Sequence, residues 1–175
     1  MTCPSDILFE WTARPQRTIL DPFWTELERC RRSGAACFEI CPQDARHAWI
    51  ALASRADAAV PCHRDGRTVG MLFAVARPGS LAAEVHAAFT DAVSREEAFG
   101  ICEHARDMVA ERTPWRNLLA VVPRQWRHVR LLAARLGFRE ACRLPELVRL
   151  DSLGRHVEGV ILHLDLAPYR EAAHA

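Results

Sequence analysis

The chain has 175 residues, a formal net charge of +1 and 23 basic residues, every one of them arginine. Without lysine there is no amine for a Schiff base and no P-loop lysine for a nucleotide's outer phosphates, which excludes lysine-dependent pyridoxal phosphate enzymes, Schiff-base aldolases and standard Walker-A NTPases. Interleaved acids and arginines argue against a nucleic-acid partner, and the longest apolar run, around Met71 to Ala76, is far below the roughly 20 residues of a membrane span.

The length fits a single domain over residues 1–175. Asp6 and Glu10 sit where a secretory signal would be basic and then apolar, so no export is expected. The seven cysteines are odd in number and irregularly spaced, which suits reduced thiols in a cytoplasmic protein.

In chain order, residues 7–13 alternate with Ile7, Phe9, Trp11 and Ala13 on one side, as in a strand that Pro15 ends. Asp21-Pro22 reads as an N-cap followed by a first-turn proline, with a helix running to Ser33-Gly34 over Phe23, Leu27 and Cys30. A second helix starts at Pro42 and carries Trp49, Ile50 and Leu52. Strands are expected over 58–63 and 68–76, joined by an Asp65-Gly66 hairpin turn, and over 81–89 after the Pro78-Gly79 turn. On that third meander strand, Val85, Ala87 and Phe89 share one face, and Glu84, His86 and Ala88 the other.

Ser94 to Arg112 carries the strongest helix signal, a Ser94…Glu97 capping box ahead of a stripe through Ala98, Cys102, Ala105 and Val109. Asn117 to Val122 is nearly all apolar between two prolines, as in a strand buried on both faces. A helix over 125–136 ends at Gly137, and 138–150 and 157–166 form a closing hairpin. The fold class is therefore α/β with a mixed sheet.

Cys37-x-x-x-Cys41 and Cys62-His63 are one loose and one adjacent pair, unlike the spacing of a structural zinc site, and buried cysteines explain them better; no metal is expected. Cys142 with His156 or His163 carries no nucleophile signature.

This element order, the strand and helix from Leu118 to the Leu-Gly-Phe ending at Phe138, the stretch EVHAAF at 84–89 and the closing segment LPELVRLDSLGRHVEGVILHL resemble the GNAT N-acetyltransferase superfamily, and among it a GNAT-like subgroup of phages and prophages. The match covers roughly residues 56–166 and leaves 1–55 as a variable N-terminal part. The resemblance implies a mainly antiparallel sheet, flanked by helices and splayed between its fourth and fifth strands. It implies an acyl-CoA cofactor, acetyl-CoA first, lying in that splay, with the pantetheine arm along Ala87, Ala88 and Phe89. The pyrophosphate would lie on the helix start at Ser94 and Arg95, with Trp126 and Arg127 lining the far side. Glu84 or His86 would serve as general base for a small-molecule or peptide amine.

The chain departs from the family pattern in three places. The glycine-rich pyrophosphate loop is replaced by TDAVSREEAFG, in which Glu96 and Glu97 bring negative charge to the anion site. A position often asparagine is Trp126, and one often a general-acid tyrosine is Ala133; the single tyrosine, Tyr169, falls outside the expected site. Arg95, Arg124 and Arg127 could clamp phosphates, and solvated surface residues are the plain alternative for each, as for Glu84 and His86. Two functions follow: an acetyl-CoA-dependent N-acyltransferase, or a GNAT-fold protein that no longer catalyses and serves as an assembly or interaction module, with the cofactor lost. The acceptor, the acyl chain, and whether the chain pairs with itself or another protein are left open.

Overall fold

Seven strands form one sheet in the order β1-β2-β3-β4-β5-β7-β6 in the computed structural model, which describes residues 5–32, 45–150 and 153–173. The strands are β1 (Leu8–Phe9), β2 (Ala58–Arg64), β3 (Arg67–Ala76), β4 (Ala82–Phe89), β5 (Asn117–Pro123), β6 (Arg139–Leu150) and β7 (Arg155–Asp165). The helices are α1 (Arg17–Arg29), α2 (Ala45–Ala53), α3 (Arg95–Arg112), α4 (Arg127–Arg135) and α5 (Ala167–Ala173). Every neighbouring pair of strands is antiparallel except β4–β5, which the α3 crossover makes parallel.

The first strand is shorter than its alternation predicts. Only Leu8 and Phe9 pair regularly with β2, followed by a single Thr12–Ala59 bridge, and Arg14 at φ 54° turns the chain away. The alternation itself holds: Ile7 is buried, and Phe9 and Trp11 pack on the same cluster.

α1 begins a turn before the expected Asp21-Pro22 start, with Gln16 as its N-cap, so Pro22 lies inside the helix. An interior proline costs about 3 kcal/mol. The earlier start places Leu20 in one buried stripe with Phe23, Trp24 and Leu27, and each such side chain contributes about 1.5–3 kcal/mol. Burial of Leu20, with Ile19 packed beside it, therefore offsets the missing bond. Asp21 does not cap; it accepts from Arg46 on α2 at 3.1 Å. α1 ends at Arg29, short of the expected Ser33-Gly34, because Arg31 at φ 58° turns the chain out of the helix; the expected start of the next helix at Pro42 and the Cys37–Cys41 pair lie outside the described residues.

α1 and α2 cover one face of the sheet. Trp49 sits 5.5 Å from Trp24 and 5.8 Å from Phe73 between ring centroids, tying both helices to β3. α3 covers the opposite face through Ile101, Ala105, Met108 and Val109. Its Ser94–Glu97 capping box forms as the sequence predicts. α4 ends in a Schellman arrangement: Gly137, at φ 98°, donates to Ala134 and Phe138 donates to Ala133.

α5 has no counterpart among the expected elements. Its Arg170 donates from Nε to the Ala110 carbonyl at 2.8 Å and from Nη2 to the carbonyls of Thr113 (2.7 Å) and Trp115. One side chain thus satisfies the carbonyls left open where α3 ends and the chain enters β5.

Candidate active site

β4 and β5 pair over only three positions, Ala82–Asn117, Ala83–Leu118 and Glu84–Leu119. Beyond Glu84 they separate, and a cleft of about 1010 Å³ opens between them and passes over α3 and α4. The backbone of β4 prepares one wall. Ala82 and Thr90 bond toward β3, through Arg77 N to Ala82 O at 3.0 Å and Thr90 N to Val69 O at 2.9 Å. Antiparallel peptide groups alternate sides, so Ala87 and Phe89 aim their N–H and C=O groups into the gap, where β5 has already diverged. That edge can take an extended chain as an added strand.

The two faces of β4 do different things. Val85 and Phe89 pack toward α3, and the Phe89 ring lies over Gly70, where any Cβ would collide with it. Glu84, His86 and Ala88 face α1 and α2. His86 stacks on Phe73 with centroids 4.9 Å apart and planes 20° apart, and its Nε2 lies 3.8 Å from Glu84 Oε1. Glu84 in turn accepts from Arg77 at 3.1 Å. Burial pushes the His86 imidazole below its ordinary 6.5, and the Glu84 charge opposes this only in part. The ring is therefore neutral near pH 7, seated on an aromatic and aimed at a carboxylate, with its edge on the cleft.

At the outer end of the cleft stands the N-terminus of α3. Ser94 Oγ accepts from Glu97 N at 3.2 Å, and Glu97 Oε2 accepts from Ser94 N at 2.8 Å. Glu97 also accepts from Arg64 Nη2. Arg64 Nη1 donates to the Ala92 carbonyl at 2.6 Å, and its Nε lies 2.8 Å from the Asp6 carboxylate. The Ser94 amide first, then Arg64, holds the Glu97 carboxyl below its usual range. Glu97 is thus neutralised within the fold, while Ser94, Arg95 and Glu96 line the cleft. Sequence reasoning missed Arg64, because nothing local links it to a helix start 33 positions away.

The remaining candidates divide. Ala87, Ala88 and Trp126 line the cleft, and Trp126 packs with Val122 and Val129 at the β5–α4 junction instead of closing the gap. Arg127 is exposed and outside the lining, and Arg124 sits by Glu158 at 3.4 Å. Ala133 is buried beside the cleft floor. Tyr169 donates to the Leu136 carbonyl at 3.1 Å beneath the Arg106 guanidinium, so its hydroxyl serves the end of α4. Among the described residues, no group of three or more His, Cys, Asp or Glu side chains is placed to hold a metal ion, and no helix is long and apolar enough to cross a membrane.

No protein-family model matches the sequence, and no curated protein does. Solved structures do match. The ribosomal-protein-S5-alanine acetyltransferase of Vibrio fischeri aligns over 94% of this chain and 96% of its own, with a TM-score of 0.74 at 9% identity. The spermidine N-acetyltransferase of Vibrio cholerae, in complex with CoA and spermine, aligns over 94% and 98%, with a TM-score of 0.73 at 15% identity. A GNAT-family acetyltransferase of Bacillus anthracis aligns over 93% and 96%, with a TM-score of 0.68 at 8% identity. The chain has the GNAT fold. The parallel β4–β5 seam, the gap beyond it and the flanking helices all belong to that fold, and nearly the whole chain takes part, including residues that the sequence resemblance did not reach.

Proposed function

We propose that this GNAT-fold chain is an acyl-CoA-dependent N-acyltransferase. The observation that carries the reading is the β4 edge: unpaired peptide groups at Ala87 and Phe89 face an open cleft, with His86 and Glu84 beside them on the opposite face. Ala87–Phe89 would hold the pantetheine arm, and the first-turn amides of α3 with the Arg95 side chain would hold the pyrophosphate. His86, oriented by Glu84, takes the proton of the incoming ammonium. The free amine would attack the thioester carbonyl, its C–N bond forming as the C–S bond breaks, and the second proton that the new amide nitrogen gives up would reach the leaving CoA thiolate by way of solvent. The Ala87 N–H steadies the oxygen as its charge develops. His86 is the catalytic residue in this scheme, and Glu84 the positioning one. The V. cholerae neighbour carries CoA and spermine, which supports an amine acceptor for this reading.

One observation favours a second reading. The anion site at α3 is partly filled by the chain's own Glu97, and no glycines let the backbone close on a pyrophosphate. A GNAT-fold interaction module without catalysis would look the same there. Calorimetry with CoA and acetyl-CoA, followed by turnover with an amine panel that includes a polyamine and a free-N-terminal peptide, separates the two. Saturable binding and release of free thiol support the transferase. Absence of binding at millimolar ligand supports the module.

A further inference from the structure

The cleft reaches both faces of the sheet. Glu84 and His86 line it from the face opposite α3, and so does Val121 of β5. On that face Glu84 pairs with Leu119, Leu119 with His163, and His163 with Arg139, so these four stand in one row across β4, β5, β7 and β6. The two faces of β5 and β7 differ in cover. Leu118, Leu162 and Leu164 are buried beneath the helices, whereas Leu119, Ile161 and His163 are half-buried. Among the described residues, the cluster that α1 and α2 form with the sheet takes in β2, β3 and β4 and stops there. An amine that approaches His86 from this side therefore lies over an apolar strip, Leu119 and Val121, that no described helix covers.

His163 is the polar group at the far side of that strip. Its Nε2 lies 2.7 Å from Asn117 Oδ1, and a carbonyl oxygen can only accept, so Nε2 carries the proton. Nδ1 keeps its lone pair and is not sealed from solvent. Two strand spacings, about 10 Å, separate β4 from β7 along the row. A reacting nitrogen beside His86 lies inside that span, so a donor group roughly 7 Å away, the reach of a five-carbon spacer, meets Nδ1. Arg139 ends the row, exposed and without an ion pair among the described residues. A second ammonium at His163 would face that like charge, whereas a hydroxyl or an amide N–H would not.

We propose that His163 recognises the acceptor, and that the acceptor is a primary amine with an uncharged N–H or O–H donor at the far end of an apolar spacer. The assignment rests on the acyltransferase reading above. Asn117 acts through the imidazole and is the positioning residue.

Turnover with acetyl-CoA tests this with aminopentanol, its O-methyl ether and diaminopentane, which share one spacer and differ only at the far end. The KM for aminopentanol should be about threefold to tenfold below that of the other two, with kcat within about twofold, because the extra hydrogen bond is made in binding alone. His163→Phe keeps a ring and removes the lone pair, so it should level the three amines. His163→Gln, whose amide oxygen accepts, should keep part of the preference. Far-ultraviolet circular dichroism and an unchanged affinity for CoA verify that both variants are intact. Should His163→Phe fail to fold, nitrogen NMR on the wild type decides. The expected result is a ring protonated at Nε2 whose Nδ1 resonance moves with aminopentanol and not with the ether; a ring protonated at Nδ1 would overturn the proposal. Equal KM values, a preference for the diamine, or a preference that survives in His163→Phe would overturn it and leave the transferase standing. If no amine turns over, calorimetry with the same three amines separates the two ideas. Tighter binding of aminopentanol that His163→Phe abolishes supports the site and sinks the transferase, whereas equal or absent binding sinks both.

Discussion

Arg64, at the end of β2, and Glu97, in the first turn of α3, share a charged hydrogen bond that no local sequence pattern announces. The same guanidinium holds the Ala92 carbonyl, so one arginine fixes both the loop that leaves β4 and the helix that follows it. Many anion sites gain a close-fitting backbone from glycine. Here a long-range ion pair stiffens a loop that has none between Phe89 and Phe99.

Glu97→Gln keeps an acceptor for the Ser94 amide and removes the anion that faces Arg64. A charge-assisted bond is worth about 1.5–3 kcal/mol, and the partial exposure of both side chains discounts this to about 1–2, or roughly 2–8 °C in melting temperature. The folded carboxyl lies below its unfolded value of 4.5, so its contribution is present above that pH and is lost as pH falls through the folded value. Thermal melts should therefore separate variant and wild type at pH 7 and bring them together at strongly acid pH. A constant gap at all pH values would contradict the ion pair.

His86 bears on activity. With an amine that turns over, His86→Ala should lower kcat by about 10²–10⁴ with little change in the KM for the thioester. Glu84→Gln should lower it less, because it removes orientation and not the base. The folded imidazole titrates below 6.5, so the neutral base persists at pH 7 and the acid limb of the wild-type profile should lie below that value. A limb above 6.5, or an unchanged profile in Glu84→Gln, would count against this division of labour.

Gly137 is held at φ 98°, and a Cβ there would run into the Tyr169 hydroxyl and stand 3.1 Å from Leu164. Gly137→Ala should cost about 2 kcal/mol or more in chemical denaturation, from the left-handed backbone and the collision together. Tyr169→Phe in the same background should recover part of that cost. A strictly additive double-mutant cycle would mean that the two residues do not meet.

The cysteines should separate by reactivity. Cys142 is exposed on β6, whereas Cys102 is buried on α3 with its thiol pushed up to about 12 by desolvation. Mass spectrometry after a brief pulse of iodoacetamide at pH 8 should find Cys142 alkylated and Cys102 untouched until denaturant is added. Early labelling of Cys102 would mean that α3 lifts from the sheet.

Most of the fold is legible in the sequence where the signal is local. The Asp65-Gly66 turn, the Ser94–Glu97 capping box and Gly137 each encode one backbone event, and each forms within a residue or two of its expected place. The α1 start is misread because Asp21-Pro22 is a strong local cue, while the burial of Leu20 that overrides it depends on α2 and β3. α5 is missed because seven residues carry too little periodicity, although Asp165, whose carboxylate accepts from the Ala167 amide at 2.9 Å, and Pro168 in the first turn are both start signals. At the site, alternation alone places Glu84 and His86 on one face of β4. The ring beneath His86, the arginine behind Glu97 and the depth of the cleft all come from contacts between distant strands.

The three-position seam between β4 and β5 also gives the site an order of assembly. Chains emerge from the ribosome N-terminus first, so β1 to β4 and α3 are available before β5 to β7 exist. Arg170, which ties the end of α3 to the entry of β5, arrives later still, on α5. One wall of the cleft is thus made early and stands as a bare sheet edge until the second half of the chain is synthesised. During that interval the outward peptide groups of Ala87 and Phe89 have no β5 beside them, so the half-made chain offers a strand edge to any extended segment that meets it.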